Sequence, residues 1–349
     1  VKRKPSKKRK GAPKDLSRAL EELTWDVEET DHKGRLDRFL AERLPWRSRT
    51  SIVELLSEGQ VKCDGEVVCK KSFRLRAGTR VAVAVPPPEE PERHAELAEA
   101  LEGAILFEDE HLLALAKPAG LVVHPVGRLR VNTLIQVLHW RFRFGRGKGE
   151  EVFGGSAPGE VGPVVPRVCH RLDRDTSGVI VFAKNAAART AIQLMIEGDP
   201  RGLGEVRKDY LACVHGAPDP PAGRVDACLG PDPQGAKELQ MTLVPGGLLA
   251  STTYSLEARS GPFSWVGFRI HTGRQHQIRV HAAQALGCPV LCDTLYGRGE
   301  SAWPPDAPVI ERQALHARRL RMPHPKTGAP LVIEADLPPD LAALRDLID

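Results

Sequence analysis

An α+β fold is what this sequence predicts: a central mixed sheet, mainly antiparallel, with a small helix, helix and hairpin module ahead of it. Three observations carry that expectation. Val179, Ile180, Val181, Phe182 and Ala183 form a short continuous apolar run, the kind of strand that sits inside a sheet with both faces covered. Upstream, two short amphipathic stretches precede VKCDGEVV, where Asp64-Gly65 stands between two β-prone runs. At 349 residues the chain is too long for one small domain and has room for a catalytic core plus an accessory module.

The N-terminus is strongly basic. Lys2, Arg3, Lys4, Lys7, Lys8, Arg9, Lys10 and Lys14 fall in the first fourteen residues with no acidic residue among them. The formal net charge of the whole chain is only +5, so everything after this arm is slightly acidic. Any phosphate-binding face on the folded part therefore has to be local clustering, while the arm reads as a solvated, phosphate-seeking tail. The expected boundaries are a disordered basic arm over 1–30, a small module over 31–85, a Pro-rich acidic linker over 86–103 and a catalytic domain over 104–349.

Within the module, GRLDRFLAERLP from Gly34 places Leu36, Phe39, Leu40 and Leu44 inward on one helix. SRTSIVELLSEGQV reads as a second helix, capped near Ser48 and stopped at Gly59. Two helices and a hairpin, with Arg35, Arg38, Arg47, Arg49 and Lys62 around them, resemble the S-four RNA-binding module named for a small-subunit ribosomal protein. That resemblance implies RNA contacts from Arg35, Arg38, Arg49 and Lys62.

In the larger domain, ILFEDEHLLALAKPAGLVVHPVG from Ile105 puts Lys117-Pro118 and Gly120 between two apolar strands. Gly145 to Pro163 is Gly-rich and without periodicity, and is expected to be a mobile loop. CHRLDRDTSGVIVFAKN, Cys169 to Asn185, then sets a charged His-Arg-Leu-Asp turn before the apolar strand, and Thr176 and Ser177 can bond back to the local backbone. This is suitable geometry for one carboxylate with a fixed direction, that of Asp173. Tyr210 lies in a strand-like alternation, Tyr210, Ala212 and Val214 against Leu211, Cys213 and His215. From Gly273 the chain is expected to be helical, with Ile278, Ala282, Ala285 and Leu286 on one apolar face and Gly287 as the stop. Arg279 borders that face and needs an acceptor, for which Asp173 is the natural partner.

These segments together resemble the RluA-type pseudouridine synthases, of the RluC/RluD-like kind that carry the S-four module. The likeness rests on HRLD at His170 to Asp173, VRKDYLACVHG at Val206 to Gly216, HTGRQHQIRVH at His271 to His281, CPVLCDTLYG at Cys288 to Gly297 and LHARRLRMPHPKTG at Leu315 to Gly328. It departs at Gln275, where Thr or Ser is usual, and at Cys292, where glycine is commoner. The resemblance implies isomerisation of uridine to pseudouridine in structured RNA, with Asp173, Tyr210 and Arg279 catalytic. It implies RNA contacts from His170, Arg171, Arg274 and His276, with Arg171 filling the gap left by a flipped base. Large-subunit ribosomal RNA is the substrate it favours, transfer RNA the alternative.

Two rivals belong to other classes: a non-catalytic RNA-binding assembly factor, and a glycosidic hydrolase using Asp175 as a second carboxylate. The isomerisation is redox-neutral and intramolecular, so no cofactor is expected. Seven cysteines, an odd number with no CxxC pair, indicate a reducing compartment, and Cys288 with Cys292 beside His276 or His281 is weak evidence for a metal, so none is expected. Without a signal peptide or a spanning apolar run, the expectation is a soluble cytoplasmic monomer with no membrane partner.

Overall fold

The computed structural model describes residues 23–44, 49–84, 91–125, 132–144, 164–199, 201–233, 240–297 and 310–348. The chain divides into two compact units, one from residues 1–96 with 124–165 and the other from 97–123 with 166–349. The expected loop from Gly145 to Pro163, the cap at Ser48 and Arg47 lie outside the described residues.

In the first unit, β1 (Leu23–Asp26), α1 (Leu36–Arg43), α2 (Arg49–Ser57), β2 (Val61–Cys63), β3 (Glu66–Val67) and β4 (Arg80–Val83) follow in order. The four strands form one sheet in the order β1-β4-β2-β3. Leu36, Phe39, Leu40 and Leu44 are buried with Ile52, Leu55 and Leu56 against Val61, Val81 and Val83, as the apolar spacing predicts. The hairpin turn has positive φ at both central residues, Asp64 at 51° and Gly65 at 87°, the conformation that favours Asp-Gly between paired strands.

Two expected boundaries are corrected. Leu23–Asp26 is not part of an arm: it pairs antiparallel with β4, Leu23 opposite Val83 and Asp26 opposite Arg80. Trp25 packs edge-on to Phe39 at 6.5 Å between ring centroids. The period-two alternation of Leu23 and Trp25 outweighs the charge upstream of it. Pro91–Glu102, expected as linker, is the helix α3, with Ala98 and Leu101 buried on its apolar side. Pro at its first position suits a helix start, where its missing N–H is no loss.

The second unit is built on an 11-stranded sheet. Its strands and helices are β5 (Ile105–Glu108), β6 (Leu112–Lys117), then, after the first unit's α4 (Leu134–Phe144), β7 (Arg167–Val168), β8 (Ser177–Ala183), α5 (Ala186–Glu197), β9 (Arg207–His215), β10 (Ala222–Pro231), β11 (Met241–Leu243), β12 (Leu248–Ser260), β13 (Phe263–Ile270), α6 (Gln277–Val280), β14 (Leu315–Pro323), β15 (Pro330–Glu334) and α7 (Pro339–Ile348). The strand order is β11-β10-β12-β13-β9-β14-β8-β6-β5, with β15 on β14 and β7 on β8. Only the β14/β8 pair is parallel, so the sheet is mixed and mainly antiparallel. Among the described residues no helix is long and apolar enough to cross a membrane.

All seven residues of β8 are buried, as its unbroken apolar run requires. Val179, Val181 and Ala183 pack with Leu112 and Ala114 of β6 and with Ala188, Ile192 and Met195 of α5. The Asn185 side chain caps α5 by accepting the Ala188 N–H at 2.9 Å, and Gly198 in the left-handed conformation ends it. At the start of β8, Gly178 has φ +111°, and a Cβ there would stand 2.2 Å from the Ala317 carbonyl oxygen of β14. That close approach is possible only for glycine.

The expected helix from Gly273 starts later. His276 sits in the left-handed region at φ 54°, and α6 begins at Gln277 and continues as a single π-helical turn, His281–Ala285. Side-chain bonding explains the delay: Gln277 Oε1 accepts from the Thr272 hydroxyl at 2.8 Å and from the Arg274 N–H at 3.0 Å, while Nε2 donates to Ser251 O and the Thr252 hydroxyl, both at 2.9 Å. The buried amide thereby holds residues 272–274 in a non-helical path against β12. Gly287, at φ +65°, is the stop the sequence predicts.

Candidate active site

The turn between β7 and β8 carries Asp173, whose side chain is 27% exposed. Its carbonyl accepts the Thr176 N–H at 3.2 Å. Two buried cations hold the following carbonyls. Lys117, at the end of β6, donates from Nζ to Pro118 O at 2.7 Å, Leu121 O at 2.9 Å and Arg174 O at 2.8 Å. Burial pushes this lysine down to about 7, against the pull of Asp175 and Asp173, which favour its charge. Arg312 binds Asp340 of α7 at 2.7 and 2.9 Å and reaches Asp175 O at 3.2 Å, and Gln313 donates to the Thr176 hydroxyl at 3.2 Å. The turn that aims Asp173 is thus tied to β6, to the β14 entrance and to α7.

Asp175 is paired with the residue beside it. Its two oxygens accept from Arg174 Nε and Nη2, both at 2.9 Å, in an exposed pair. The second carboxylate that a hydrolase would use is committed to its neighbour.

Arg279 of α6 is 5% exposed and does lie beside Asp173, with Nη1 3.4 Å from Oδ2. Its principal partner is another residue. Nε and Nη2 close on Asp293 at 2.6 and 2.7 Å, and Asp293 also accepts the Leu295 and Tyr296 N–H groups at 2.9 and 3.2 Å. Burial acts to lower the pKa of Arg279, but hydrogen bonding and charge from Asp293, with Asp173 added, raise it above its ordinary value. Oδ1 of Asp173 has no hydrogen-bond partner among the described residues.

Tyr210 on β9 is 6% exposed, and burial, reinforced by the nearby Asp173 charge, pushes its phenol well above the usual range. The Asp173 charge acts on this phenol, and its hydroxyl stays protonated. On the same side of β9, two residues earlier, Lys208 is held down to about 8 by burial and has no ion-pair partner among the described residues. Sequence reasoning gave no role to Lys208, Lys117, Asp293 or Arg312. The requirement of a buried arginine for a carboxylate was the one signal that led toward Asp293, and it was assigned to Asp173 alone.

The expected RNA contacts divide. His170 is engaged within the fold: its Nε2 accepts the Val181 N–H at 3.1 Å, and burial, with the Lys208 charge, pushes it down to about 3. It is a neutral ring used to hold β8. Arg171 is exposed. Arg274, also exposed, donates from Nε to Leu249 O at 3.0 Å. His276 has Nδ1 2.8 Å from the Tyr296 hydroxyl, and its ring packs edge-on to that tyrosine at 5.7 Å. The charges acting on it are those of Asp173, Arg279, Asp293 and Arg171, which places it beside the Asp173–Arg279 pair. In the first unit, Arg38 and Lys62 are exposed, whereas Arg35 is held by Asp37 at 2.9 and 2.8 Å. Arg49 begins α2, and its side chain lies outside the described residues. No group of three or more His, Cys, Asp and Glu side chains able to hold a metal occurs among the described residues.

Comparison with known proteins places this geometry in context. A family model described as RNA pseudouridylate synthase matches residues 111–284, and an S4 domain model matches residues 34–81. An uncharacterized RNA pseudouridine synthase of Bacillus subtilis (strain 168) is 32% identical over 325 residues, covering 93% of this chain and 97% of that one. A ribosomal large subunit pseudouridine synthase D of Xanthomonas campestris pv. campestris is 36% identical over 324 residues, 90% of this chain and 88% of that one. Among solved structures, human RNA pseudouridylate synthase domain containing 4 superposes with a TM-score of 0.55 at 27% identity, covering 73% of this chain and 97% of that one.

Proposed function

The chain belongs to the RNA pseudouridine synthases, enzymes that isomerise uridine in RNA, and from that premise we propose that Asp173 acts on the nucleoside and that large-subunit ribosomal RNA is the substrate. The observation that carries the first part is the split environment of one carboxylate: Oδ2 lies 3.4 Å from the Arg279 guanidinium, and Oδ1 has no partner among the described residues. The adjacent cation holds one oxygen by charge, and the other is available to react.

The reaction detaches uracil from C1′, rotates it, rejoins it through C5 and ends with loss of the C5 proton. Attack on the sugar, addition to the base and removal of a sugar proton all use an ionised, directed Asp173. Arg279 supplies electrostatic support in each case, and the Asp293 grip keeps it in place. Tyr210, whose phenol is held protonated, packs against the base and offers a hydroxyl, since acting as a phenolate base would require losing the proton it retains. The target nucleotide leaves its stack to reach the site at a cost of a few kcal/mol, roughly, and exposed Arg171 fills the gap. Ribosomal RNA is favoured because full-length relatives, including the Xanthomonas one, are named as large-subunit synthases, and because an S4 domain precedes the catalytic unit.

Two measurements test this. Asp173→Asn keeps the shape and loses the charge, so isomerisation is abolished while RNA affinity stays within a few fold. Near-normal turnover in this variant overturns the role of Asp173. Mapping pseudouridines in a deletion strain shows a missing ribosomal site, whereas loss confined to transfer RNA overturns the substrate.

A further inference from the structure

His276 reaches the site by an uncommon route. A non-glycine residue at φ 54° needs surrounding structure to hold it, and here Gln277 fixes the chain on its far side with four hydrogen bonds. The ring is then oriented by Tyr296, whose backbone N–H in turn donates to Asp293, the residue that grips Arg279.

The hydrogen bonding of Tyr296 selects one tautomer of the imidazole. The phenolic oxygen accepts the Met241 N–H at 2.8 Å, and Nδ1 of His276 lies 2.8 Å from the same oxygen. Among the described residues the hydroxyl hydrogen has no acceptor other than that Nδ1. If Nδ1–H donated instead, the phenol proton would be left unpaired in a half-buried position. With Nδ1 accepting, a neutral ring carries its proton on Nε2. That Nε2–H has no partner among the described residues.

Every charged group facing the ring bears on its protonation. Burial lowers its pKa first; Asp173 and Asp293 act to raise it, Arg279 and Arg171 to lower it, and the balance lies below the ordinary imidazole value. A neutral ring at physiological pH is the consequence. An imidazolium here would compete with Arg279 for Asp173, whereas a neutral N–H donates without doing so.

We propose that His276 contacts the substrate, its Nε2–H, set by the Tyr296 hydroxyl, donating a hydrogen bond to a carbonyl oxygen of the target uracil. The inference rests on the synthase reading. When the bond from C1′ to uracil N1 breaks, its electron pair stays on N1 and spreads onto the carbonyl oxygens. A fixed donor at one of those oxygens is worth more to the detached, anionic base than to the nucleoside. No proton is transferred to or from His276. The bond from C1′ to C5 forms, the C5 proton leaves, and N1 gains one, so the isomerisation balances. His276 is the contacting residue, and Tyr296 positions it.

The test uses the full chain and an RNA whose modified uridine has been mapped, carrying uridine, 2-thiouridine or 4-thiouridine at that position. His276→Ala slows single turnover at saturating protein by about 100- to 1,000-fold, the range for one lost donor to a developing anion, while RNA affinity stays within about threefold. His276→Asn, which tolerates the left-handed conformation and keeps an N–H donor, recovers part of the rate. With sulfur, a weak acceptor, at the contacted position, the loss caused by His276→Ala falls to near unity for one of the two thio substrates. Nitrogen-15 NMR of the free protein shows His276 protonated at Nε2 in wild type and a tautomer mixture in Tyr296→Phe, a readout that does not depend on how well the alanine variant folds. An unchanged rate in His276→Ala, equal losses on all three substrates, or weakened RNA binding with no change in rate overturns the proposal, the last marking His276 as a phosphate contact. A wild-type protein that forms no pseudouridine at all fails the synthase reading instead.

Discussion

Asp293 holds Arg279 by two bonds of 2.6 and 2.7 Å and is itself fully buried, with 0% of its side chain exposed. Asp173 receives only the third donor of that guanidinium, at 3.4 Å. The arrangement separates structure from chemistry: one carboxylate anchors the arginine so that the other can remain partly free. Arg279→Ala then leaves Asp293 buried and unpaired, at a cost of about 3–5 kcal/mol, in addition to inactivating the enzyme. The double variant Arg279→Ala with Asp293→Ala is inactive too, yet more stable than the single variant in urea unfolding. Simple additivity of the two losses would sink this account.

Lys117 gives the fold a pH dependence with a definite sign. Its pKa falls to about 7 in the folded protein, whereas an unfolded lysine titrates near about 10.4. Between those values the unfolded chain binds more protons, so stability rises with pH across the window, and the full penalty applies below it. Lys208, held down to about 8, acts in the same direction over a narrower range. Urea unfolding at several pH values through this window shows the rise in wild type and a much smaller one in Lys117→Met. An equal rise in both proteins removes Lys117 as its source.

Gly178→Ala places a methyl group where Ala317 O already stands 2.2 Å away, at a φ of +111° that side chains rarely adopt. The β8/β14 contact has to open, and the expected cost is about 3 kcal/mol or more. Because β8 follows directly from the Asp173 turn, the single-turnover rate falls as well as the melting temperature. A variant with wild-type melting and rate contradicts the close approach.

A tail with eight basic and no acidic residues in its first fourteen would contact phosphate and carry no base information. Deleting residues 1–22 weakens RNA binding and flattens its salt dependence, by roughly 0.7–0.9 of a log unit in slope per phosphate contact removed. The modified uridine stays the same. Binding measured at several salt concentrations checks the slope, and an unchanged slope assigns phosphate binding wholly to the folded units.

Much of the fold is legible locally. The apolar run of β8, the inward positions Leu36, Phe39, Leu40 and Leu44, and the Asp64-Gly65 turn each follow from period and turn chemistry within a few residues. Charge near a boundary hid two elements, β1 beside the basic arm and α3 in the acidic stretch, because composition was weighed above the short apolar alternation inside each. Gln277 defeated the helix expected from Gly273, since its amide bonds partners on β12 that no local pattern reveals.

By itself the sequence determined the strand β8, the two-helix module with its Asp64-Gly65 hairpin and the family likeness, and it singled out Asp173, Tyr210 and Arg279 as candidates, because the local chemistry of those stretches is distinctive. Tertiary structure alone decided which charges meet. Lys117 finds a carbonyl 57 positions away, Arg279 finds Asp293 in preference to Asp173, and His170 accepts a backbone N–H from β8. The physical reason is that periodicity and turn propensity are properties of neighbouring residues, whereas the partner and protonation of a buried polar group depend on which distant atoms the packed sheet brings within about 3 Å of it.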